Sequence, residues 1–288
     1  MQRRLVGSVL VVAAGLLPAL LGGPIFALLM LAIGIVALNE FLVLGRSIEL
    51  TSERWSLYAS LVLAASGALF TQPVLLLLAV LAGTLIPLAM SIRMTSTPGM
   101  AETWSWGVAG VCYLALPVFT AISLRQIDGD RVSPAWQSAA ERLSLAWEPA
   151  ATGMAWALAV ILSTWAGDSA AYLVGRSLGR HKLAPSVSPG KTVEGALGGL
   201  LAAVLVSAAV FAVSGTLPAW LGGFVGAGIG VAGQLGDLSE SFLKRQAGVK
   251  DSGDLIPGHG GMLDRVDALL FAFPAALLMH WIIEGVSW

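Results

Sequence analysis

The sequence predicts an all-α polytopic integral membrane protein, and three observations carry that reading. Hydrophobic residues fill 57% of the 288 positions while charged residues fill 11%, mean hydropathy is +0.83, and apolar runs recur at lengths suited to a bilayer core of about 30 Å. A soluble domain with so few charges has too little polar surface to cover itself. A bilayer removes that need and asks each spanning segment to satisfy its own backbone. Alternating strands of about ten residues, the mark of a membrane barrel, are not seen, so helices are expected.

In chain order the apolar intervals fall near residues 5–22, 24–44, 56–70, 73–92, 103–122, 150–175, 194–214, 218–236 and 266–284, which makes about nine transmembrane helices. Pro18 interrupts the first and the third is short. Cytoplasmic loops carry the excess of Lys and Arg. With the N-terminus cytoplasmic and the C-terminus outside, every Lys and Arg except Arg125, Arg131 and Arg142 lies inside, and those three share one external loop. Arg3 and Arg4 before an apolar run, with small residues at Gly22 and Gly23, also fit a cleavable signal, which would leave the other helices oriented as stated. Two regions are expected, an N-terminal membrane region over 1–148 and a C-terminal membrane region over 149–288, the second being the one that the charged motifs below mark as catalytic.

Trp104, Trp106, Trp136, Trp147, Trp220 and Trp288 fall near interval ends, where indole rings favour the headgroup layer. Gly222, Gly226 and Gly230 recur every four residues and predict close approach of a neighbouring helix. The single cysteine, Cys112, reads as a packing residue. A net charge of -1 gives no global basic field, so nucleic acid is not an expected partner.

Chemistry collects in the second region. Asp168, Glu194, Asp237, Glu240, Asp251, Asp254, Asp264 and Asp267 lie among its helices, and most of the inside cations share their loops. Asp168 sits in an apolar run, where a carboxylate is costly unless paired. A structural ion pair with Arg176 or Lys191 and a site role both remain open. Gly190, Lys191 and Thr192 suggest a nucleotide P-loop, but Pro185 stands where its first glycine belongs and no strand precedes it. A short loop offering Ser188, Lys191 and Thr192 to phosphate, with Glu194 supporting the next helix start, is the functional reading. A snorkelling lysine is the plain one.

The segment from Gly233 to Asp267 carries the strongest signal. Asp237, Ser241 and Lys244 recur at i, i+4 and i+7, one helical face, with Arg245 beside them. Pro257, Gly258, Gly260 and Gly261 then break regular structure around His259. The helix restarts near Asp264, with Asp267 on the same face. If the last two long helices pack side by side, Asp264 faces Asp237, and two such carboxylates suit Mg²⁺, which takes hard oxygen ligands.

This segment closely resembles the phosphatidate cytidylyltransferase family, also called CDP-diacylglycerol synthase. The family's signature is filled by Ser241, Lys244, Arg245, Lys250, Asp251, Pro257, His259, Gly260, Gly261, Asp264, Arg265 and Asp267. Asp168, Tyr172, Gly175, Arg176, the Ser188 to Gly195 stretch and Gly236-Asp237 echo it, as does Glu40 at the end of the second interval. Gly190 departs from it, standing where the family commonly has a second lysine.

The resemblance implies CTP and phosphatidate as substrates among membrane lipids, CDP-diacylglycerol and pyrophosphate as products, and Mg²⁺ as cofactor, with a second cation left open. It implies Asp237 and Asp264 as metal ligands. Ser241, Lys244, Arg245, Lys250, His259 and Arg265 become candidate catalytic groups, and Asp168, Ser188, Lys191, Thr192, Asp251, Gly260, Gly261 and Asp267 substrate-binding ones. For His259 a loop-organising role stays open. The expected location is the bacterial cytoplasmic membrane with the active site on its cytoplasmic side. Assembly is unspecified, a homodimer included.

An ion-coupled transporter is the rival of a different class. It predicts acids spread through the membrane depth and a repeat between halves, whereas these acids gather on one side and no inverted repeat is evident. A related transferase acting on an ether-linked lipid phosphate shares the same motifs. The motif of enzymes that consume CDP-lipids is absent.

Overall fold

The structure, a computed structural model, describes residues 15–50, 53–91, 99–129, 131–144, 150–253 and 260–284. After a helical stretch at 15–21, the helices are α1 (Gly23–Ser47), α2 (Arg54–Leu69), α3 (Pro73–Ser91) and α4 (Met100–Arg125, with a π-helical turn at Val111–Ala115). Then come α5 (Pro134–Leu143), α6 (Ala151–Leu178), α7 (Val193–Ser214), α8 (Ala219–Gln246) and α9 (Leu263–Glu284). Every predicted interval from 24–44 onward falls on one of these helices. Among the described residues six are long and apolar enough to cross a membrane, namely α1, α3, α4, α6, α7 and α9. The chain is an all-α membrane protein at this level.

Two elements were not expected. A short antiparallel hairpin, β1 (Lys182–Ala184) and β2 (Ser188–Thr192), replaces the predicted loop, pairing Lys182 with Thr192 and Ala184 with Ser188. Helix α5 lies within the predicted external loop. It starts at Pro134 behind the cap Ser133, whose hydroxyl accepts from Trp136 N.

The chain gathers into two compact units of discontinuous segments. One comprises Met1–Phe26, Leu124–Phe242 and Asp267–Ser287, the other Ala27–Ser123 and Leu243–Val266 with Trp288. Compactness thus follows a different partition from the 1–148 and 149–288 regions distinguished by chemistry.

In the first unit, glycines let helices touch. A Cβ on Gly199 would lie 2.8 Å from Gly167 O, and one on Gly195 would lie 2.7 Å from Ala171 O, so α6 and α7 meet backbone to backbone. The Gly222, Gly226 and Gly230 repeat does the same for α8. A Cβ at Gly226 would fall 2.6 Å from Ala203 O, as the spacing predicted. Helices α8 and α9 pack side by side here too, where a Cβ on Gly236 would run into Asp267 O. Trp156 is wholly buried and sits edge-on to Phe211 and His280.

Three sequence readings are corrected. Arg125 is 2% exposed rather than in an external loop. Its guanidinium donates to Ala19 O, Leu20 O and Ala150 O, satisfying carbonyls at the end of the 15–21 helix that have no intrahelical partner. The chain breaks there at Gly22, where φ is +67° and a Cβ would collide with that guanidinium. Trp106 is a packing residue rather than an interface anchor, stacked on Phe41 with ring centroids 4.4 Å apart in the second unit. Cys112 is exposed on α4.

Candidate active site

The first unit holds a cavity of about 440 Å³ lined by α6, the hairpin, the start of α7 and α8. Asp168, Ser188, Lys191, Thr192 and Asp237 all line it, joined by Tyr172, Arg176 and Gln234. These residues reach one place for local reasons. Asp168, Tyr172 and Arg176 recur at i, i+4 and i+8 on α6, which is one face. Gln234 and Asp237 are one turn apart on α8, and Gln234 Nε2 donates to Ala196 O at 3.0 Å, tying α8 to α7.

The hairpin is pinned at both ends. Lys182 Nζ donates to Pro189 O at 2.8 Å. The Glu194 carboxylate accepts from Arg180 N at 3.0 Å and His181 N at 3.2 Å, with His181 Nδ1 2.6 Å away. Glu194 therefore fastens the end of α6 to the start of α7, while Thr192 is the cap, its Oγ1 accepting from Gly195 N at 3.1 Å. Thr192 is 8% exposed, so its first role is structural. Lys191, one residue earlier on β2, reaches across to α8 and pairs with Asp237 Oδ2 at 2.5 Å. Asp168 feels the charges of both. The Lys191 ammonium is turned to a carboxylate that lines the cavity.

A second cluster lies in the other unit. Lys244, in the last turn of α8, meets Asp264 Oδ1 at 2.5 Å, with their side chains 12% and 9% exposed. Asp264 Oδ2 accepts from Ser252 N at 2.9 Å, Ser252 Oγ at 2.9 Å and Gly261 N at 2.8 Å. Gly260 adopts φ +76°, and a Cβ there would sit 2.6 Å from Asp264 Oδ2, so glycine is required on both counts. Glu40, a residue of α1, is 7% exposed. It accepts from Met262 N at 2.8 Å, Leu263 N at 2.7 Å and Ser252 Oγ at 3.0 Å.

The remaining sequence candidates are placed as follows. Ser241 is half-buried on α8, one turn beyond Asp237. Arg245 Nη1 donates to Val249 O at 3.2 Å, closing the turn after α8. Lys250, Asp251 and Arg265 are exposed. Asp267, in the first unit, accepts from its neighbour Ala268 N at 2.8 Å. His259, with Asp254, Pro257 and Gly258, lies outside the described residues. Sequence reasoning missed Gln234 and Ser252 and undervalued Glu40, although one carboxylate within a 25-residue apolar helix is itself a signal.

Comparison with known proteins bears on this arrangement. The profile described as "Cytidylyltransferase family" matches residues 1–283. The phosphatidate cytidylyltransferase of Staphylococcus haemolyticus (strain JCSC1435) is 46% identical over 123 residues, 42% of this chain and 47% of that protein. The phosphatidate cytidylyltransferases of Staphylococcus saprophyticus and Staphylococcus aureus (strain COL) are each 44% identical over 128 residues, 44% of this chain and 49% of theirs. The aligned stretch spans about half the length of these curated relatives.

Proposed function

This chain belongs to the cytidylyltransferase family, and from that premise we propose that it transfers a cytidylyl group from CTP to phosphatidate, giving CDP-diacylglycerol and pyrophosphate. The observation that carries the reading is the cavity lined by Asp168, Ser188, Thr192 and the Lys191–Asp237 ion pair. Opposite charges held on one small cavity suit a ligand that combines polyanionic phosphate with a divalent cation. The relatives' names supply the substrate pair.

The lipid phosphate is already an anion near neutral pH, so no strong general base is needed. One of its oxygens attacks the α-phosphorus of CTP, the bond from that phosphorus to the bridging oxygen breaks, and pyrophosphate leaves with the electron pair. The barrier is repulsion between two polyanions. The chain therefore contributes alignment and fixed positive charge.

Lys191 has three ammonium protons, so it can hold Asp237 and a phosphate oxygen together, and Ser188 adds a hydroxyl donor. The cavity fits Mg²⁺ only as an ion shared with substrate. Asp168 on α6 and Asp237 on α8 are hard oxygen donors lining it, no group of three or more Asp, Glu, His or Cys side chains that could hold a metal stands among the described residues, and Mg²⁺ is commonly held by one or two carboxylates plus substrate phosphates. When bound, Mg²⁺ supplies neutralisation of phosphate charge. Asp264 fits differently: both its oxygens already accept protein donors, so ligating a cation requires exchanging one of them. Lys244, Arg245, Lys250 and Arg265 are carried over from the family signature as phosphate ligands.

We place the site on the cytoplasmic side of the bacterial cytoplasmic membrane, where CTP arrives from the cytosol and phosphatidate from the bilayer. The test is pyrophosphate release by purified protein in detergent. Release that requires both CTP and phosphatidate is the expected result, and release independent of the lipid overturns the reading.

A further inference from the structure

Glu40 is a buried carboxylate on a helix long and apolar enough to cross a membrane, and such a group persists only where its charge is met. Among the described residues it is met by the segment that carries the family signature. Oε1 accepts from Met262 N, and Oε2 accepts from Leu263 N and Ser252 Oγ. Met262 and Leu263 are at the start of α9, so Glu40 satisfies N–H groups that have no partner within the helix and places its charge at the positive end of the helix dipole.

The contact is built at close range. A Cβ on Gly253 would lie 2.9 Å from Glu40 Oε1, and one on Gly261 would collide with both Glu40 Oε2 and Ser252 Oγ. Glycines at both positions therefore leave room for this carboxylate. Ser252 links it to the next acid. Its hydroxyl, which has one proton, lies 3.0 Å from Glu40 Oε2 and 2.9 Å from Asp264 Oδ2, while its N–H donates to Asp264. Asp264 in turn holds Lys244.

We propose that Glu40 is a positioning residue for the transfer reaction: it fixes the Ser252 turn and the first turn of α9, and through them the Asp264 carboxylate and the Lys244 ammonium. The assignment rests on the functional reading above, in which Lys244 contacts phosphate. It extends the working part of the protein to α1, far from the signature in sequence.

The test uses full-length protein in detergent with phosphatidate, comparing wild type, Glu40→Gln, Ser252→Ala, Asp264→Asn and the Glu40→Gln/Asp264→Asn double variant. The glutamine amide sets a donor against N–H and O–H donors, so amide hydrogen exchange at Met262 and Leu263 is expected to accelerate about tenfold or more. Turnover is expected to fall about 10- to 100-fold, with KM for CTP little changed. Ser252→Ala leaves the contacts of Glu40 to Met262 and Leu263, so it is expected to lower turnover without changing that exchange.

In the Asp264→Asn background, Glu40→Gln is expected to cost nothing further, because a residue acting through Asp264 has lost its route. A full additional loss there, or turnover of Glu40→Gln within about twofold of wild type, overturns the proposal. If Glu40→Gln does not fold, unchanged turnover in Ser252→Ala overturns it. A wild type without CTP-dependent turnover defeats the functional reading, and the exchange measurement still judges whether Glu40 fixes the first turn of α9, which unchanged exchange in Glu40→Gln refutes.

Discussion

Lys191 Nζ stands 2.5 Å from Asp237 Oδ2, joining the short strand β2 to the long helix α8 on the lining of one cavity. Each side chain is about one-third exposed or less, so the pair is reachable by a ligand and only partly screened. In the proposed reaction this pair holds charge of both signs where phosphate and cation would meet.

Replacing Lys191 with Met removes the fixed cation while keeping the stem. Turnover is expected to fall about 100-fold, the scale for losing one charge-stabilising donor, with the detergent melting temperature nearly unchanged. Steady-state kinetics with CTP and phosphatidate check it. Unaltered kcat/KM means that Lys191 does not touch the transition state.

Asp264 behaves differently because it is both charged and structural. Asp264→Ala removes the carboxylate that Lys244 pairs with and frees two backbone donors, Ser252 N and Gly261 N, while the Ser252 hydroxyl keeps Glu40 as acceptor. Destabilisation of about 3–5 kcal/mol is expected from breaking such a pair, seen as a lowered melting temperature together with lost activity. Asp264→Asn, which keeps an acceptor, is expected to melt closer to wild type while still losing turnover.

A packing prediction comes from Gly226. Alanine there sets a Cβ 2.6 Å from Ala203 O, so α7 and α8 must separate. A cost of about 1–3 kcal/mol is expected, measured as a lower melting temperature. Because α7 and α8 both line the cavity, KM for CTP is expected to rise as well.

Much of this was legible in the sequence, and the physical reasons differ by element. Helix positions were legible because a bilayer imposes length and apolarity on each segment, and the Gly222 to Gly230 repeat announced its own contact. The gathering of Asp168, Lys191 and Asp237 was legible as a concentration of charge in an apolar chain. The hairpin was not, since Ser188–Thr192 is five residues with a proline and a glycine and little strand propensity. It is held by Glu194 and Lys182 instead. Arg125 and Trp106 were misplaced because near-terminal charges and indoles read as surface features, whereas burial depends on partners that only the fold supplies. Glu40 was visible as an odd carboxylate, but its partners lie more than 200 residues away in sequence.

The most direct measurement follows the α-phosphate label of CTP into chloroform-extractable lipid, with wild type and Asp237→Asn assayed side by side across a Mg²⁺ titration. Labelled CDP-lipid from wild type, dependent on Mg²⁺ and phosphatidate, with Asp237→Asn nearly inactive or needing far more Mg²⁺, is the predicted result. No labelled lipid from wild type, or an Asp237→Asn titration that overlays it, would contradict the account.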